Sequence, residues 1–274
     1  MKTIIVPVDF SEQSEYALKV AASLAKTYNA QILALHMLEL NEAMISSSEG
    51  FHPEQTVFLL KLAEKRIHDF LDKPFLKGVK KVTPIIKHFK VFGEVNDVVE
   101  RHGADLIVMG SHGSDGLKEI FVGSNAEKVV RHAQVPVLVI KDDLEDFKVD
   151  TFVFACAFKE ESLGAFHKAW AFAEKLNADF HLVYINTPGD NFLSNVDARE
   201  KIANFMEKAG ADLEVNIYND YSVEKGVLNF SEKVKADVVS IPTHGRKGLS
   251  HFFMGSIGED IANHSKIPVI TFKI

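Results

Sequence analysis

Two glycine-bounded loops of equal spacing are the residues of this chain best suited to chemistry. Eleven residues between His112 and Val137 recur between His244 and Val269, at a fixed offset of 132 positions. The first stretch reads GSHGSDGLKEIFVGSNAE and the second reads PTHGRKGLSHFFMGSIGE. Glycine lets a backbone turn sharply and approach a ligand closely, and the N–H groups at a helix start attract anions. The repeat therefore predicts a tandem duplication whose loop binds phosphate.

The first loop lies between an apolar run and a helical pattern, and it is bounded by Gly110, Gly113, Gly123 and Ser124. One glycine-rich turn indicates a phosphate site only weakly, but the same arrangement found twice is a stronger indication. An alternative stays open, because Ser124 with Glu127 and Ser256 with Glu259 form S-x-x-E capping boxes. Such a box alone explains a Gly-Ser pair at a helix start.

The elements that must position the loop alternate between strands and helices. Apolar, β-branched runs predict strands at 3–8, 30–38, 85–92, 104–110 and 135–140. Helical spacing of apolar residues lies between these runs, and it includes 53–74 and 95–101. The second half repeats this order at an offset of 148 positions and later of 132, so it lacks 16 residues between its second and third strands.

This alternation predicts an α/β fold of two tandem doubly wound domains, each with a five-stranded, mostly parallel sheet. Ligands of such sheets bind near the carboxyl ends of the strands. The short, charged, glycine-free segment 141–148 is typical of a linker. We therefore place the domains at residues 1–141 and 149–274.

Composition limits the classes of protein that the chain can belong to. The net charge of -7, without a basic stripe, argues against binding of nucleic acid. The apolar runs are far shorter than the roughly 20 residues of a membrane helix. The single cysteine, Cys156, excludes a disulfide framework and favours a reducing compartment. We expect a cytoplasmic protein without contact to membranes.

The loop and the first strand together resemble the universal stress protein family. The signature of that family is Gly, two residues, Gly, nine residues, Gly and then Ser or Thr, which the first loop fits completely. The opening TIIVPVDFSEQSEYAL looks like the family's first strand and helix, with Asp9 at the position of its nucleotide-contacting aspartate. The resemblance covers nearly the whole chain and implies a tandem member with an adenine nucleotide alpha hydrolase-like, Rossmann-like fold.

The resemblance also implies a module that binds an adenine nucleotide, namely ATP, ADP or AMP, with Mg²⁺ as a companion. The residues that would contact the nucleotide by this similarity are Pro7, Val8, Asp9, Met37, Met109, Gly110, Ser111, His112, Gly113, Gly123, Ser124 and Asn125. Each has a plainer interpretation as well. Asp9 could end the strand or cap the first helix, and Pro7, Val8, Met37 and Met109 could pack at strand ends.

The second half departs from the family pattern where binding needs the residues. Ala157 stands at the position of Asp9, Ala155 at that of Pro7, and Pro242 at that of Gly110. The residues that could still accept an anion are Gly245, Arg246, Gly255 and Ser256. We therefore expect one competent nucleotide site in the first half and a degenerate, mainly structural site in the second.

No catalytic residue and no metal ligand is predicted. A P-loop GxxxxGK[ST] and a nucleophile elbow GxSxG are both absent from the sequence. We expect a regulatory stress-response protein that binds a nucleotide, with ATP hydrolysis at most slow and incidental. The alternative is a scaffold that binds an unknown partner protein or another small ligand and no nucleotide.

Each half ends in a short apolar strand, PVLVI or PVITFKI. Such an edge strand pairs readily with a like strand, and in the family these terminal strands pair domains. A tandem chain can satisfy both strands within itself as a pseudo-dimer. Whether the whole chain forms a homodimer in addition is left open by the sequence.

Overall fold

The structure is a computed structural model that describes residues 1–38, 53–88, 91–111, 124–189, 192–243 and 265–274. Within these ranges the description excludes the side chains of residues 53–56, 88, 91–94, 124, 125 and 127. The elements of the first half are β1 (Thr3–Val8), α1 (Glu12–Tyr28), β2 (Gln31–Leu38), α2 (Pro53–Leu71), β3 (Lys81–His88), α3 (Val91–His102), β4 (Leu106–Gly110), α4 (Ser124–His132) and β5 (Val137–Ile140).

The second half repeats the alternation of strands and helices. Its elements are β6 (Thr151–Ala155), α5 (Leu163–Leu176), β7 (Asp179–Asn186), α6 (Asn195–Ala209), β8 (Val215–Asn219), α7 (Val223–Lys233), β9 (Val238–Thr243) and β10 (Val269–Lys273). The predicted α/β class and the alternation along each half are confirmed.

Local sequence determines where the corresponding helices end. Asn29 ends α1 and Asn177 ends α5, and both adopt the left-handed conformation, with φ of 51° and 54°. Asparagine tolerates this conformation better than most residues and is a common helix terminator. The two asparagines are 148 positions apart, so the repeat in the sequence is also a repeat in backbone geometry.

The ten strands of the described ranges form one sheet in the order β3-β2-β1-β4-β5-β10-β9-β6-β7-β8. Pairing within each half is parallel, and the halves join through β5 and β10, which are antiparallel, with Leu138 opposite Ile270. The predicted pairing of the two terminal strands within one chain is confirmed. Because β5 and β10 run in opposite directions, the carboxyl ends of the two sets of parallel strands lie at opposite ends of the sheet.

The two faces of the sheet are covered differently. On one face, α1 and α5 contribute to a single core that crosses both halves and contains Leu18, Phe152 and Phe166. The hydroxyl of Tyr28 donates a hydrogen bond of 3.3 Å to the carbonyl of Leu176 across this junction. On the other face, α3 and α4 cover a separate core in the first half, and α7 covers another in the second.

The third strand differs from the prediction. It spans Lys81–His88, whereas the apolar pattern predicted 85–92, and Phe92 lies in α3. Lys81 and Pro84 made the start of the strand look like a turn. Proline is tolerated because β3 is the edge of the sheet and needs a partner on one side only.

Among the helices of the described ranges, none has the length and apolarity needed to cross a membrane.

Candidate functional site

The strand order reverses between β1 and β4. The chain builds β1, β2 and β3 outwards and then returns to place β4 on the other side of β1. β1 pairs with β2 along its whole length, up to Val8 opposite His36, but its register with β4 ends at Ile5 opposite Ile107. Beyond that pair the two strands part. A crevice at the carboxyl ends of parallel strands, where the order reverses, is the usual ligand site of doubly wound folds.

Asp9 lies at the mouth of this crevice, immediately after β1. Its Oδ1 accepts hydrogen bonds from the Ser11 hydroxyl and from the Ser11 backbone N–H, the latter at 3.0 Å. Ser11, and not Asp9, caps α1, since the Ser11 hydroxyl accepts from the Ser14 N–H. Ser11 therefore holds the carboxylate of Asp9 in place.

Phe10 sets the direction of the turn that follows Asp9. Its φ of 67° lies in the left-handed region, which is unusual for an aromatic residue. The ring packs 4.4 Å from that of His36 and 5.7 Å from that of Phe70, and the guanidinium of Arg66 lies 4.4 Å from its centroid. These contacts hold the backbone in an otherwise unfavourable conformation, and the turn presents Asp9 at the crevice.

His36 is a half-buried histidine with a structural hydrogen bond. Its Nδ1 lies 2.8 Å from the carbonyl of Val8, so this nitrogen carries the proton and donates. Burial lowers the pKa of His36, and the positive charge of Arg66 lowers it further, although the bond to Val8 acts in the opposite direction. We therefore expect a neutral imidazole at pH 7.

Gly110 has a structural requirement that the sequence did not reveal. A Cβ at Gly110 would lie 2.8 Å from the carbonyl carbon and oxygen of Gln13, so the first turn of α1 packs directly on the end of β4. The next residue, Ser111, is buried, and its N–H donates a 2.9 Å bond to the carbonyl of Ile140. The glycine serves helix packing in addition to any role toward a ligand.

The predicted residues that the structure describes collect at this end of the sheet. Val8 is buried in the core under α1, and Pro7 is half-exposed one residue before it. Met109 is buried in the core under α3 and α4, and Met37 packs partly buried against the same core. The carboxyl ends of β1, β2 and β4 thus lie side by side at this end of the sheet.

The remaining predicted residues lie wholly or partly outside the described residues. His112, Gly113 and Gly123 precede α4 and lie outside, and Ser124 and Asn125 begin the helix without a described side chain. The second-half residues Gly245, Arg246, Gly255 and Ser256 also lie outside. Both capping boxes therefore remain predictions. Among the described side chains, no group of three His, Cys, Asp or Glu is placed to hold a metal ion.

The corresponding end of the second half is occupied by aromatic side chains. Phe158, 148 positions after Phe10, repeats its left-handed backbone with φ of 50°. Its ring is only 3% exposed and lies 5.2 Å from the ring of Phe205 and 6.4 Å from that of Tyr184. Where Ser11 binds Asp9 in the first half, the Phe158 N–H here donates to the sulfur of Cys156 at 3.3 Å.

The crevice of the second half is also shallower. β6 pairs with β9 up to Phe154 opposite Ser240, which corresponds to one residue more than the register between β1 and β4. Pro242 carries a Cβ at the position of Gly110. The segment that corresponds to the first turn of α1 is a 3₁₀ turn, Glu160–Ser162.

Asn186 fastens the shortened connection after β7, and the sequence did not single it out. Its side-chain amide donates 3.0 Å bonds to the carbonyl of Leu193 and to Oδ1 of Asn219, and its own Oδ1 accepts from the Leu193 N–H. The one signal of this role in the sequence is that Asn186, a polar residue, ends an apolar strand. Phe10 was missed as well, although its recurrence as Phe158 was visible at the offset of 148.

Comparison with known proteins supports the interpretation of the repeat. A sequence model of the Universal stress protein family matches residues 1–141 and again residues 148–273. The chain belongs to the universal stress protein family. The two matches make it a tandem member, as the duplicated loop predicted.

Individual relatives agree with this assignment. The universal stress proteins MJ0531 and MJ0577 of Methanocaldococcus jannaschii are each 31% identical to this chain; each alignment covers 51% of it and, respectively, 82% and 94% of the relative. A crystal structure of a universal stress protein from Archaeoglobus fulgidus matches with a TM-score of 0.72 and 21% identity, covering 99% of this chain and 96% of the other. The tandem universal stress protein fold is thus shared over the full length.

Proposed function

We propose that the first half of this universal stress protein binds an adenine nucleotide at the ends of β1, β2 and β4, and that the chain acts as a regulatory stress-response binding module. The observation that carries the proposal is the parting of β1 and β4 beyond Ile5 and Ile107, with Asp9 fixed at the mouth of the crevice. A carboxylate there suits a ribose hydroxyl, which donates to it.

The proposed roles of the site residues are those that the resemblance to the family implies. Pro7, Val8 and Asp9 flank adenine and ribose, and the backbone of Met37 contacts the base. The segment from Met109 through Gly110 and Ser111 to His112 and Gly113 approaches ribose and phosphates, and Gly123, Ser124 and Asn125 hold the phosphates. The start of α4 suits an anion because its first N–H groups have no partner within the helix. Mg²⁺ is proposed only as the ion that accompanies the phosphates.

The second half, which we delimit at residues 149–274 beside a first domain of 1–141, is proposed to carry a degenerate site. At this end of the second half, Phe158 is buried against Phe205, and Asn186 fastens the loop after β7. Ala157 cannot bind a ribose hydroxyl. An anion held by Gly245, Arg246, Gly255 and Ser256 remains part of the proposal, without a nucleoside.

Nucleotide retention and a matched pair of loop variants test this division. We expect mass spectrometry of the purified chain to detect ATP, ADP or AMP, and MgATP to raise the melting temperature. Gly113→Val combined with Gly123→Val should abolish the shift, because side chains would stand against the phosphates. The corresponding pair Gly245→Val and Gly255→Val should preserve it.

Two results would contradict the proposal. The first is a wild-type chain that retains no nucleotide and whose melting temperature millimolar MgATP leaves unchanged. The second is a rise in melting temperature with MgATP that persists in Gly113→Val/Gly123→Val and disappears in Gly245→Val/Gly255→Val. That result would place the nucleotide in the second half.

No enzymatic activity is proposed beyond slow, incidental hydrolysis of ATP. The proposed function requires only binding. We propose that the protein is cytoplasmic, because it has a single cysteine and only short apolar runs.

A second candidate function is a scaffold that binds a partner protein or another small ligand. It is favoured by apolar side chains on the outer surface of α2, where Val57, Phe58 and Leu62 are 49%, 66% and 44% exposed. Replacing Phe58 and Leu62 by Ser distinguishes the two functions. The scaffold hypothesis expects loss of partner capture with nucleotide binding intact; unchanged capture would contradict it.

A further inference from the structure

Lys141 follows β5 directly and lies at the same end of the sheet as the proposed nucleotide site. Gly110 and Ile140 are opposite one another in the register of β4 and β5, and the N–H of Ser111 donates to the carbonyl of Ile140 at 2.9 Å. The ladder therefore continues to the residue where the first glycine loop begins. Lys141 is the next residue along the neighbouring strand.

The alternation of β5 indicates which face of the sheet Lys141 is on. Val137 and Val139 belong to the core under α3 and α4, whereas Leu138 and Ile140 belong to the core under α1. Successive side chains of a strand point to opposite faces. The residue after Ile140 therefore lies on the face that α3 and α4 cover.

α4 brings its N-terminus to this same place. β4 and β5 are parallel, so the helix between them must run from the carboxyl end of β4 back to the amino end of β5. Ala126 and Val129 of α4 pack in the core that contains Val139. The first backbone N–H groups of α4 and residue Lys141 thus lie on one face, at one end of the sheet.

The surroundings of Lys141 also suit an anion. The residue is half-buried, and burial lowers the pKa of its ammonium, an effect that the carboxylate of Asp142 opposes. A nearby anion favours the charged form of an ammonium and so raises its pKa.

We propose that Lys141 binds the terminal phosphates of a nucleotide held in the first half, so that the site favours nucleoside di- and triphosphates over AMP and adenosine. This inference rests on the proposed function. β5 lies two strands away from β1, about 10 Å at the usual strand spacing. A nucleoside over β1 and β2 with its phosphates directed towards β4 brings the last phosphates nearest to β5.

The chain offers a matched control in Lys273, which is 132 positions after Lys141. Lys273 is the last residue of β10, and Lys141 is the first residue after β5. Because β5 and β10 are antiparallel, the two lysines lie at opposite ends of the sheet. The backbone carbonyl of Lys273 accepts from Nζ of Lys168, an interaction that replacement of the Lys273 side chain leaves in place.

Isothermal titration of the full chain with ATP, AMP and inorganic tripolyphosphate, at constant ionic strength, tests the role of Lys141. Lys141→Met should weaken ATP and tripolyphosphate about tenfold or more, as expected for a charge-assisted hydrogen bond. AMP should change by less than about twofold. Lys141→Arg should retain most of the affinity, Lys273→Met should resemble the wild type, and the melting temperature without ligand identifies any variant that folds poorly.

Three results would overturn the inference: unchanged ATP and tripolyphosphate affinity in Lys141→Met, an equal loss for AMP and ATP, or an equal loss in Lys273→Met. The proposed function fails separately. A wild type that binds tripolyphosphate through Lys141 but binds no nucleotide contradicts the nucleotide proposal and leaves the phosphate role of Lys141 standing. A wild type that binds neither contradicts both.

Discussion

The two halves of this universal stress protein share a backbone and differ at the ends of their strands. Both place an aromatic residue with a left-handed backbone after the first strand, Phe10 in one half and Phe158 in the other. In the first half, the turn presents a carboxylate to an open crevice. In the second half, the aromatic side chain is buried against Phe205 and the crevice is shallower.

The difference teaches that the repeat preserves what the fold needs and not what a ligand needs. Asp105 and Asp237, 132 positions apart, each accept hydrogen bonds from two N–H groups at the start of a neighbouring strand. These aspartates hold strands together in both halves. Asp9, which is suited to a ligand, has Ala157 as its counterpart.

The largest effect is expected from removing Phe158, the buried aromatic side chain that follows the first strand of the second half. Phe158→Ala should lower the free energy of unfolding by about 3 to 4 kcal/mol, because a buried phenyl ring leaves a cavity. Phe10→Ala should cost about half as much, since Phe10 is only partly buried. Chemical denaturation measures both variants. Equal losses would show that the two halves do not differ in packing at this position.

Gly110→Ala should have the next largest effect, about 2 kcal/mol, because the new Cβ would meet the backbone of Gln13. Gly164→Ala in α5 is the matched control, since no atom lies within 4 Å of a Cβ there and alanine favours a helix. Its melting temperature should be unchanged or slightly raised. If Gly110→Ala leaves the melting temperature unchanged as well, α1 does not pack as closely on β4 as the structure shows.

Asp105→Asn should cost about 1 kcal/mol at pH 7 and should flatten the dependence of stability on acid. Partial burial raises the pKa of Asp105, but the N–H groups of Lys2 and Thr3 lower it more, so the folded-state pKa lies below the ordinary value of 3.8. The stabilisation is complete above the unfolded-state pKa and is lost as the pH falls through the folded-state pKa.

Denaturation of the wild type and of Asp105→Asn at pH 7 and at pH 3 measures this effect. The difference between the two proteins should be smaller at pH 3. A difference that grows with acidity would mean that the charge of Asp105 destabilises the fold. Asp237→Asn, which alters the corresponding strand contact, shows whether the second half depends on it equally at pH 7.

The smallest expected effect is the absence of a reaction at Cys156. Burial raises the pKa of this thiol to about 12, so at pH 8 the reactive thiolate is on the order of one molecule in ten thousand. Iodoacetamide should label the native chain hardly at all and the denatured chain fully, as mass spectrometry would show. Rapid labelling of the native chain would mean that the strand end of the second half is open like that of the first.

The architecture could be predicted from the sequence because the periodicity of apolar residues reports which elements form. The start of β3 could not be predicted. Lys81 and Pro84 are tolerated there because β3 is an edge strand, and the edge position is a property of the whole sheet. Asp9 and Gly110 were identified from the resemblance to the family. The packing of Gly110 on Gln13 and the depth of each crevice depend on distances between elements that are remote in the sequence.

The core shared by α1 and α5 bears on how the molecule melts. Ile4 of the first half and Phe272 at the end of the chain belong to one cluster, so neither half can lose its packing on that face without exposing the other. We therefore expect a single cooperative unfolding transition. Binding free energy gained at Asp9 would then stabilise residues at the far end of the chain, and the aromatic second half would act as a passive stabiliser of the half that binds.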